Sequence, residues 1–250
     1  MKSEYFKSMW EKMQQQGYFR NHADYSDHFG QTPTGDERVM DAKLLELDFR
    51  QDEILMPFGY SRELERSVKR TESEWLYQMF DLPSSGVALD LGCGFGRTTS
   101  WMAQQYARVF ASDISSVVLE EAKKNLQDME NIEFCLNEAD SIPSAIEDES
   151  LDLVYIFTVF QHIHREFAAG ILKQVASALK PEGKVVFNLL SGINEQIDDG
   201  AEDTEWSIGY GRDQAIALVE DSGLNVERLV RWYRLENKVK WLWVCATRNG

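Results

Sequence analysis

The feature that most constrains the fold is an alternation of short apolar segments with helical segments from Val87 onward. Segments of strand character separated by helices predict βαβ units and a parallel sheet. The segment LDLVYIF from Leu151 is almost continuously apolar, which is typical of a strand covered on both faces. The candidate strands are VALDL, RVFASD, IEFCLN, LDLVYIF, KVVFNLL, NVERLVRW and KWLWVCAT.

The last two candidate strands follow one another with no helix between them. Strands joined this closely form an antiparallel hairpin, which we expect at one edge of the sheet. The sequence therefore predicts an α/β fold with a doubly wound, seven-stranded, mostly parallel sheet whose last strand is reversed.

Residues 1–80 have a different pattern, with apolar residues at helical spacing around Trp10 and again from Arg62 to Phe80. The turn DLPSSG then separates this part from the first strand. We predict an N-terminal helical cap or lid at 1–80 and a ligand-binding sheet domain at 81–250. A structural role in packing is the alternative for the aromatic residues of the cap, which include Trp10, Tyr18, Phe19, Tyr25 and Phe29.

Composition excludes several classes of partner. The chain has 250 residues and a formal net charge of −16, so nucleic acid and anionic membrane surfaces would be repelled. The three cysteines are scattered without a metal-binding or disulfide pattern, which fits a reducing cytoplasm. The N-terminus lacks an apolar core of signal-peptide length and no segment has the length of a membrane span, so we expect a cytoplasmic protein without a membrane partner.

The stretch LDLGCGFGR, residues 89–97, directly follows an apolar strand. Gly92, Gly94 and Gly96 would let the backbone approach a ligand at the carboxyl edge of the sheet. A dinucleotide site would have its third glycine three positions after the second, where this chain has Arg97. Asp90 would also repel a pyrophosphate, whereas it could bind an ammonium group. An ordinary tight turn is the alternative explanation of the glycines.

These residues resemble the first motif of the class I S-adenosylmethionine-dependent methyltransferases, and the resemblance covers about residues 80–250 through several motifs in order. It implies S-adenosylmethionine as the cofactor and S-adenosylhomocysteine as the product. It also implies that Asp113, 23 residues after Asp90, accepts hydrogen bonds from the ribose hydroxyls, and that Ile114 packs on the adenine. A carboxylate at the tip of the second strand is suited to two hydroxyl donors.

The third motif of the family resembles NEADSIP, and two alignments are possible. One gives Asp140 with Ser141 as the contacts to adenine, and the other gives Glu138 with Ala139. We prefer Asp140 and Ser141 and include Ala139 with them; an exposed loop acid is the alternative for Asp140. Phe157, at the end of the segment that resembles strand four of the family, completes the predicted cofactor-binding residues.

Methyl transfer requires an aligned acceptor, and a histidine near the methyl group could serve as a general base. His162 and His164 follow the fourth strand, whereas His22 and His28 belong to the polar N-terminal part. We predict His162 as the candidate catalytic residue, with a structural role in the loop as the alternative. The sequence has no cluster of histidines and carboxylates at metal-ligand spacing near the fourth strand, so we predict no metal site.

The acceptor is less constrained than the cofactor. FTVFQ stands where related enzymes acting on DNA adenine and glutamine amides have an Asn-Pro-Pro loop, and the scattered cysteines do not match arsenic methylation. We therefore expect a small-molecule acceptor, with O-methylation favoured over N-methylation by general frequency. The alternatives are a protein or RNA methyltransferase, or a non-catalytic nucleotide-binding module. The insertion LSGINEQIDDGAEDTEWSIGYG, with Trp206 and Tyr210, is a second candidate for determining specificity.

Overall fold

The computed structural model describes residues 8, 11–12, 51–56, 79–192, 208–234 and 240–249, with the backbone alone at 53–56, 192, 233–234 and 240. The strands are β1 (Glu53–Met56), β2 (Val87–Leu91), β3 (Arg108–Asp113), β4 (Ile132–Leu136), β5 (Leu151–Ile156), β6 (Leu179–Gly192), β7 (Leu224–Arg234) and β8 (Lys240–Arg248). The helices are α1 (Arg97–Ala103), α2 (Ser116–Asn125), α3 (Arg165–Ala178) and α4 (Arg212–Glu220), with a 3₁₀ turn at Phe160–His162.

All eight strands form one sheet, in the order β1-β7-β8-β6-β5-β2-β3-β4. Strands β2 to β6 pair in parallel, and β8 runs antiparallel to both β6 and β7. The predicted fold class is therefore confirmed: β2 to β8 are the seven expected strands, and the last is reversed. The order changes direction between β2 and β5, which opens a crevice at their carboxyl ends.

One strand was not predicted. The segment at Glu53–Met56 pairs in parallel with β7, with Glu53 opposite Arg231, and lies outside it in the sheet. The Arg231 N–H also donates to the carbonyl oxygen of Asp52 at 2.7 Å. Four residues are too few for a recognisable alternation, and β7 otherwise has an unpaired edge. The hairpin is thus present but does not form the edge of the sheet.

Most of the predicted N-terminal cap lies outside the described residues, including His22, His28 and the five aromatic residues from Trp10 to Phe29. So does Trp206 in the insertion after β6. At the end of the cap, Met79 and Phe80 are buried against the sheet. The division of the chain at residue 80 stays a prediction.

The core lies on both faces of the sheet. On one face, α3 and α4 pack against apolar side chains of β5, β6 and β8. The other face carries an aromatic group in which Tyr155, Phe157 and Trp243 are stacked, with ring centroids 6.1 and 5.6 Å apart along the series. Because β5 is buried on both faces, its carboxyl end is a rigid support for the residues that follow. Within the described parts of the chain, no helix is both long and apolar enough to span a membrane.

Two glycines allow a test of the packing. A Cβ at Gly183 would lie 2.6 Å from the Leu151 carbonyl oxygen, whereas at Gly170, in α3, the nearest atom would be 3.9 Å away. We expect Gly183→Ala to lower the free energy of unfolding by about 1–3 kcal/mol, because a backbone atom must move. Gly170→Ala should raise it by about 0.5–1 kcal/mol through helix propensity. Denaturant unfolding measures both, and equal effects would contradict the described packing.

Candidate functional site

A cavity opens at the carboxyl ends of β2, β3 and β5, where the sequence predicted the ligand. The cavity brings together most of the predicted site residues, which are Asp90, Gly92, Gly94, Asp113, Ile114, Ala139, Phe157 and His162. These residues come from four separate segments of the chain. Three predicted residues, Gly96, Asp140 and Ser141, do not line this cavity.

Backbone hydrogen bonds hold the glycine turn, residues 92–96, against the end of β3. The N–H groups of Gly92 and Cys93 both donate to the Ser112 carbonyl oxygen, at 2.7 and 2.9 Å. Gly92, Gly94 and Gly96 have φ angles of 79°, 54° and 87°, which glycine adopts far more readily than other residues. A Cβ at Gly94 would meet no atom within 4 Å, so the backbone there faces open space. A ligand can therefore approach the chain closely at Gly94.

Gly92 and Gly96 have different surroundings. A Cβ at Gly92 would lie 2.3 Å from Cγ2 of Val159, and a Cβ at Gly96 would lie 2.5 Å from Cδ1 of Leu126. Gly96 precedes α1 and packs against the end of α2, away from the cavity wall. The three glycines thus serve close packing at two positions and an open approach at one.

Asp113 ends β3 with its carboxylate fixed by two backbone donors. Gly94 N–H donates to Oδ2 at 3.1 Å, and Ser115 N–H donates to Oδ1 at 3.0 Å. Burial raises the pKa of Asp113 above its ordinary value, and the backbone hydrogen bonds oppose that rise. Each carboxylate oxygen has more than one acceptor site, so a ligand hydroxyl can be accepted as well.

Asp90 and Cys93 flank the start of the turn and are both buried. The Thr99 hydroxyl donates to Oδ2 of Asp90 at 2.6 Å, which ties β2 to the following helix α1. Burial, reinforced by the charges of Asp113 and Asp90, raises the pKa of the Cys93 thiol well above its ordinary value. Cys93 therefore lines the cavity as a neutral thiol near neutral pH. All three cysteines are free thiols.

The geometry after β4 favours the second alignment of the third motif. Glu138 and Ala139 line the cavity and Asp140 does not, while the side chains of Glu138 and Asp140 are both exposed. Ser141 instead hydrogen-bonds to Asn137, its Oγ lying 3.3 Å from Asn137 Oδ1. The preference for Asp140 with Ser141 is thus not supported by their positions. The direction of the chain after β4, which places Glu138 at the cavity and Asp140 outside it, is a tertiary property.

The segment after β5 forms the wall opposite the glycine turn. Phe157, Thr158, Val159 and His162 line the cavity there. His162 is half-buried in the 3₁₀ turn, and its backbone N–H donates to the Val159 carbonyl oxygen at 2.9 Å. His164 is exposed and outside the cavity, and its ring meets Phe167 edge-on.

Arg97 and Thr158 are among the residues of this cavity that were not predicted as site residues. Arg97 lines it, and its guanidinium carbon lies 5.4 Å from the centroid of the Phe157 ring. The position of Arg97 directly after the last glycine of the turn was the available signal. Thr158 has a φ of 57°, in the left-handed region, and nothing in the sequence indicates this conformation.

Known proteins match this chain in both sequence and fold. Residues 88–183 match a family model described as a methyltransferase domain. The chain is 25% identical over 168 residues to methyltransferase GfsG of Streptomyces halstedii, covering 63% of this chain and 59% of that protein. It is 33% identical over 114 residues to an uncharacterized methyltransferase of Schizosaccharomyces pombe, covering 45% and 42% of the two chains.

A solved structure with the same fold is 1,6-didemethyltoxoflavin-N1-methyltransferase of Burkholderia thailandensis, with bound 1,6-didemethyltoxoflavin and S-adenosylhomocysteine. It has a TM-score of 0.60 at 16% identity and covers 88% of this chain and 93% of that chain. This likeness confirms the predicted fold.

The chain has the fold of the class I S-adenosylmethionine-dependent methyltransferases, and its residues 88–183 match a methyltransferase domain. The matched residues include the glycine turn, Asp113 and the segment that follows β5, residues 157–163, called the β5 exit below. The chain spans less than two thirds of the length of the curated relatives described above.

The different surroundings of Gly92 and Gly94 generate a prediction. Alanine at either position strains the backbone, but the added methyl group collides with Val159 only at position 92. We expect Gly94→Ala to cost about 1 kcal/mol of unfolding free energy and Gly92→Ala about 2–3 kcal/mol. Thermal unfolding measures the difference in stability. Equal losses would contradict the contact between Gly92 and Val159.

Proposed function

We propose that this protein transfers a methyl group from S-adenosylmethionine to a small-molecule acceptor, with an oxygen as the favoured target and a nitrogen as the next. The observation that carries the proposal is the convergence of the glycine turn, the Asp113 carboxylate and the β5 exit with His162 on one cavity. The N-methylation alternative has support from the fold neighbour, which is itself an N1-methyltransferase.

The residues of the cavity fit the donor. The open space at Gly94 allows close approach of the ligand, and Asp113 supplies two oriented acceptor oxygens for the ribose hydroxyls. In the proposed binding mode Ile114 packs on the adenine, and Glu138 with Ala139 contacts its edge. Asp90 favours the ammonium group of the amino-acid part, and Arg97 favours its carboxylate.

When bound, S-adenosylmethionine supplies a methyl carbon that is electrophilic because it is attached to a sulfonium. The work of the protein is then to align the acceptor, exclude water and manage one proton. Phe157, Val159 and Ile163 provide apolar walls on the β5 side of the cavity. The His162 imidazole is proposed to take the proton of the acceptor hydroxyl as the new bond to carbon forms, and the electron pair of the broken carbon–sulfur bond leaves with S-adenosylhomocysteine.

The chemistry of the rest of the chain supports a small acceptor in a reducing compartment. A net charge of −16 opposes association with nucleic acid or anionic membranes, so neither is proposed as a partner. Three free thiols are compatible with the cytoplasm, which we propose as the location.

The raised pKa of Asp113 predicts a pH dependence of cofactor binding. Ribose hydroxyls bind the ionised carboxylate better, so affinity for S-adenosylhomocysteine should fall as the pH drops through the raised pKa, which lies above 3.8. The folding stability of the unliganded protein depends on pH in the opposite direction. The stability that Asp113 contributes is complete below 3.8 and is lost as the pH rises through the folded-state pKa.

Calorimetric titration with S-adenosylhomocysteine across this range measures the effect. Asp113→Asn should bind more weakly by about 1.5–3 kcal/mol near neutral pH, because charge-assisted bonds are lost. Its affinity should also vary less with pH than that of the wild type. Asp128→Asn, which changes an exposed acid outside the cavity, is the matched control. Wild-type affinity and pH dependence in Asp113→Asn would remove this residue from the site.

His162→Ala tests the proposed base. We expect turnover to fall about 10²–10⁴-fold, the usual contribution of a general base, while S-adenosylhomocysteine affinity stays close to that of the wild type. Formation of S-adenosylhomocysteine with a panel of phenols, carboxylic acids and amines measures turnover. His164→Ala is the control, since that side chain is exposed.

The possible outcomes separate the alternatives. Loss of folding in His162→Ala would favour a structural role for this residue. Tight binding of S-adenosylhomocysteine by the wild type, with no turnover of any acceptor, would favour a non-catalytic binding module. Preferential binding of NAD would refute the proposed donor site.

A further inference from the structure

The turn after β5 contains an unusual backbone conformation. Thr158 has a φ of 57°, which a β-branched residue rarely adopts because its side chain crowds the backbone. Such strain persists only where the surrounding structure holds it. In the described residues, Asp81 and Glu149 are the other non-glycine residues with positive φ, and neither lines the cavity.

The residue that holds Thr158 is Asn188, on the neighbouring strand β6. The Thr158 N–H donates to Oδ1 of Asn188 at 2.7 Å, and Asn188 is only 1% exposed. Because a backbone N–H can only donate, the amide oxygen must face Thr158 and the amide nitrogen must face away. That nitrogen has no hydrogen-bond partner among the described residues.

A buried amide with half of its hydrogen-bonding capacity unused is costly to the fold. An apolar side chain of similar size would avoid this cost and would lose only the bond to Thr158. Asn188 is therefore poorly explained as a residue that stabilises the core, and its one hydrogen bond to the cavity wall is the feature that remains.

Val159, the residue after Thr158, contacts both the glycine turn and the 3₁₀ turn that carries His162. Val159 Cγ2 packs so closely on Gly92 that a Cβ there would lie 2.3 Å away. The Val159 carbonyl oxygen also accepts a hydrogen bond from the backbone N–H of His162 at 2.9 Å. A change in the backbone at Thr158 would therefore move the support of the glycine turn and the start of the His162 turn together.

We infer that Asn188 is a positioning residue, which holds Thr158 in its left-handed conformation and so sets the distance between the donor-binding glycine turn and the acceptor-side wall with His162. The inference rests on the proposed function of the cavity. It assigns to Asn188 no contact with the donor or the acceptor.

The experiment is a double-mutant cycle with Asn188→Leu and Thr158→Gly, read out by calorimetric titration with S-adenosylhomocysteine and by thermal unfolding. Asn188→Leu should weaken binding about 5- to 30-fold, the effect of losing one such hydrogen bond. Glycine adopts positive φ without strain, so Asn188→Leu should weaken binding less than about 3-fold when Thr158→Gly is already present.

Asn131→Ala is the control for general destabilisation. The Asn131 side chain donates to the carbonyls of Ala103 and Tyr106, at 2.9 and 2.8 Å, outside the cavity. We expect this change to lower the unfolding temperature and leave the affinity unchanged. A merely structural Asn188 would behave in the same way.

Each outcome decides the inference. Wild-type affinity in Asn188→Leu, or an equal loss with and without Thr158→Gly, overturns it. If Asn188→Leu does not fold, recovery of folding and binding in the double variant supports the inference, and failure of the double variant overturns it. Failure of the wild type itself to bind S-adenosylhomocysteine refutes the proposed function, which is a separate result.

Discussion

The site depends on the junction at which the glycine turn is bound to the end of β3. Two successive N–H groups, of Gly92 and Cys93, share the carbonyl oxygen of Ser112. The following residue is Asp113, whose carboxylate accepts a hydrogen bond from the backbone N–H of Gly94 in the same glycine turn. These bonds orient the backbone of the turn and the carboxylate relative to each other, so a ligand that contacts one is within reach of the other.

The opposite wall of the cavity is determined in a different way. The β5 exit has no glycine to relieve its tight turn, and the strained Thr158 is held by a side chain from β6. Val159 then packs on Gly92, so the two walls are in contact at a point where neither can move without the other. Close packing of this kind transmits small displacements, because interiors have little unused volume.

Charge and aromatic packing complete the environment. The cavity contains both acids and a cation, with Asp90 and Asp113 on the strand ends and Arg97 beside Phe157. Phe157 is supported from beneath by its stacking on Tyr155 and Trp243, so the aromatic core on this face of the sheet extends to the wall of the cavity. A rigid apolar wall next to oriented charges is suited to a ligand that is part nucleoside and part amino acid.

The sequence by itself determined the parallel sheet, its reversed last strand, and the meeting of Asp90, the glycine turn and Asp113 at one edge. These follow from periodicity and from residues close to strand ends, since the carboxyl ends of parallel strands lie together. The tertiary structure alone decided the addition of β1 to β7, the position of Glu138 at the cavity with Asp140 outside it, and the positive φ of Thr158. Each of these depends on a partner distant in sequence, namely an open strand edge, the direction of a loop and the side chain of Asn188. No local pattern encodes such contacts, because their energy exists only once the sheet has formed.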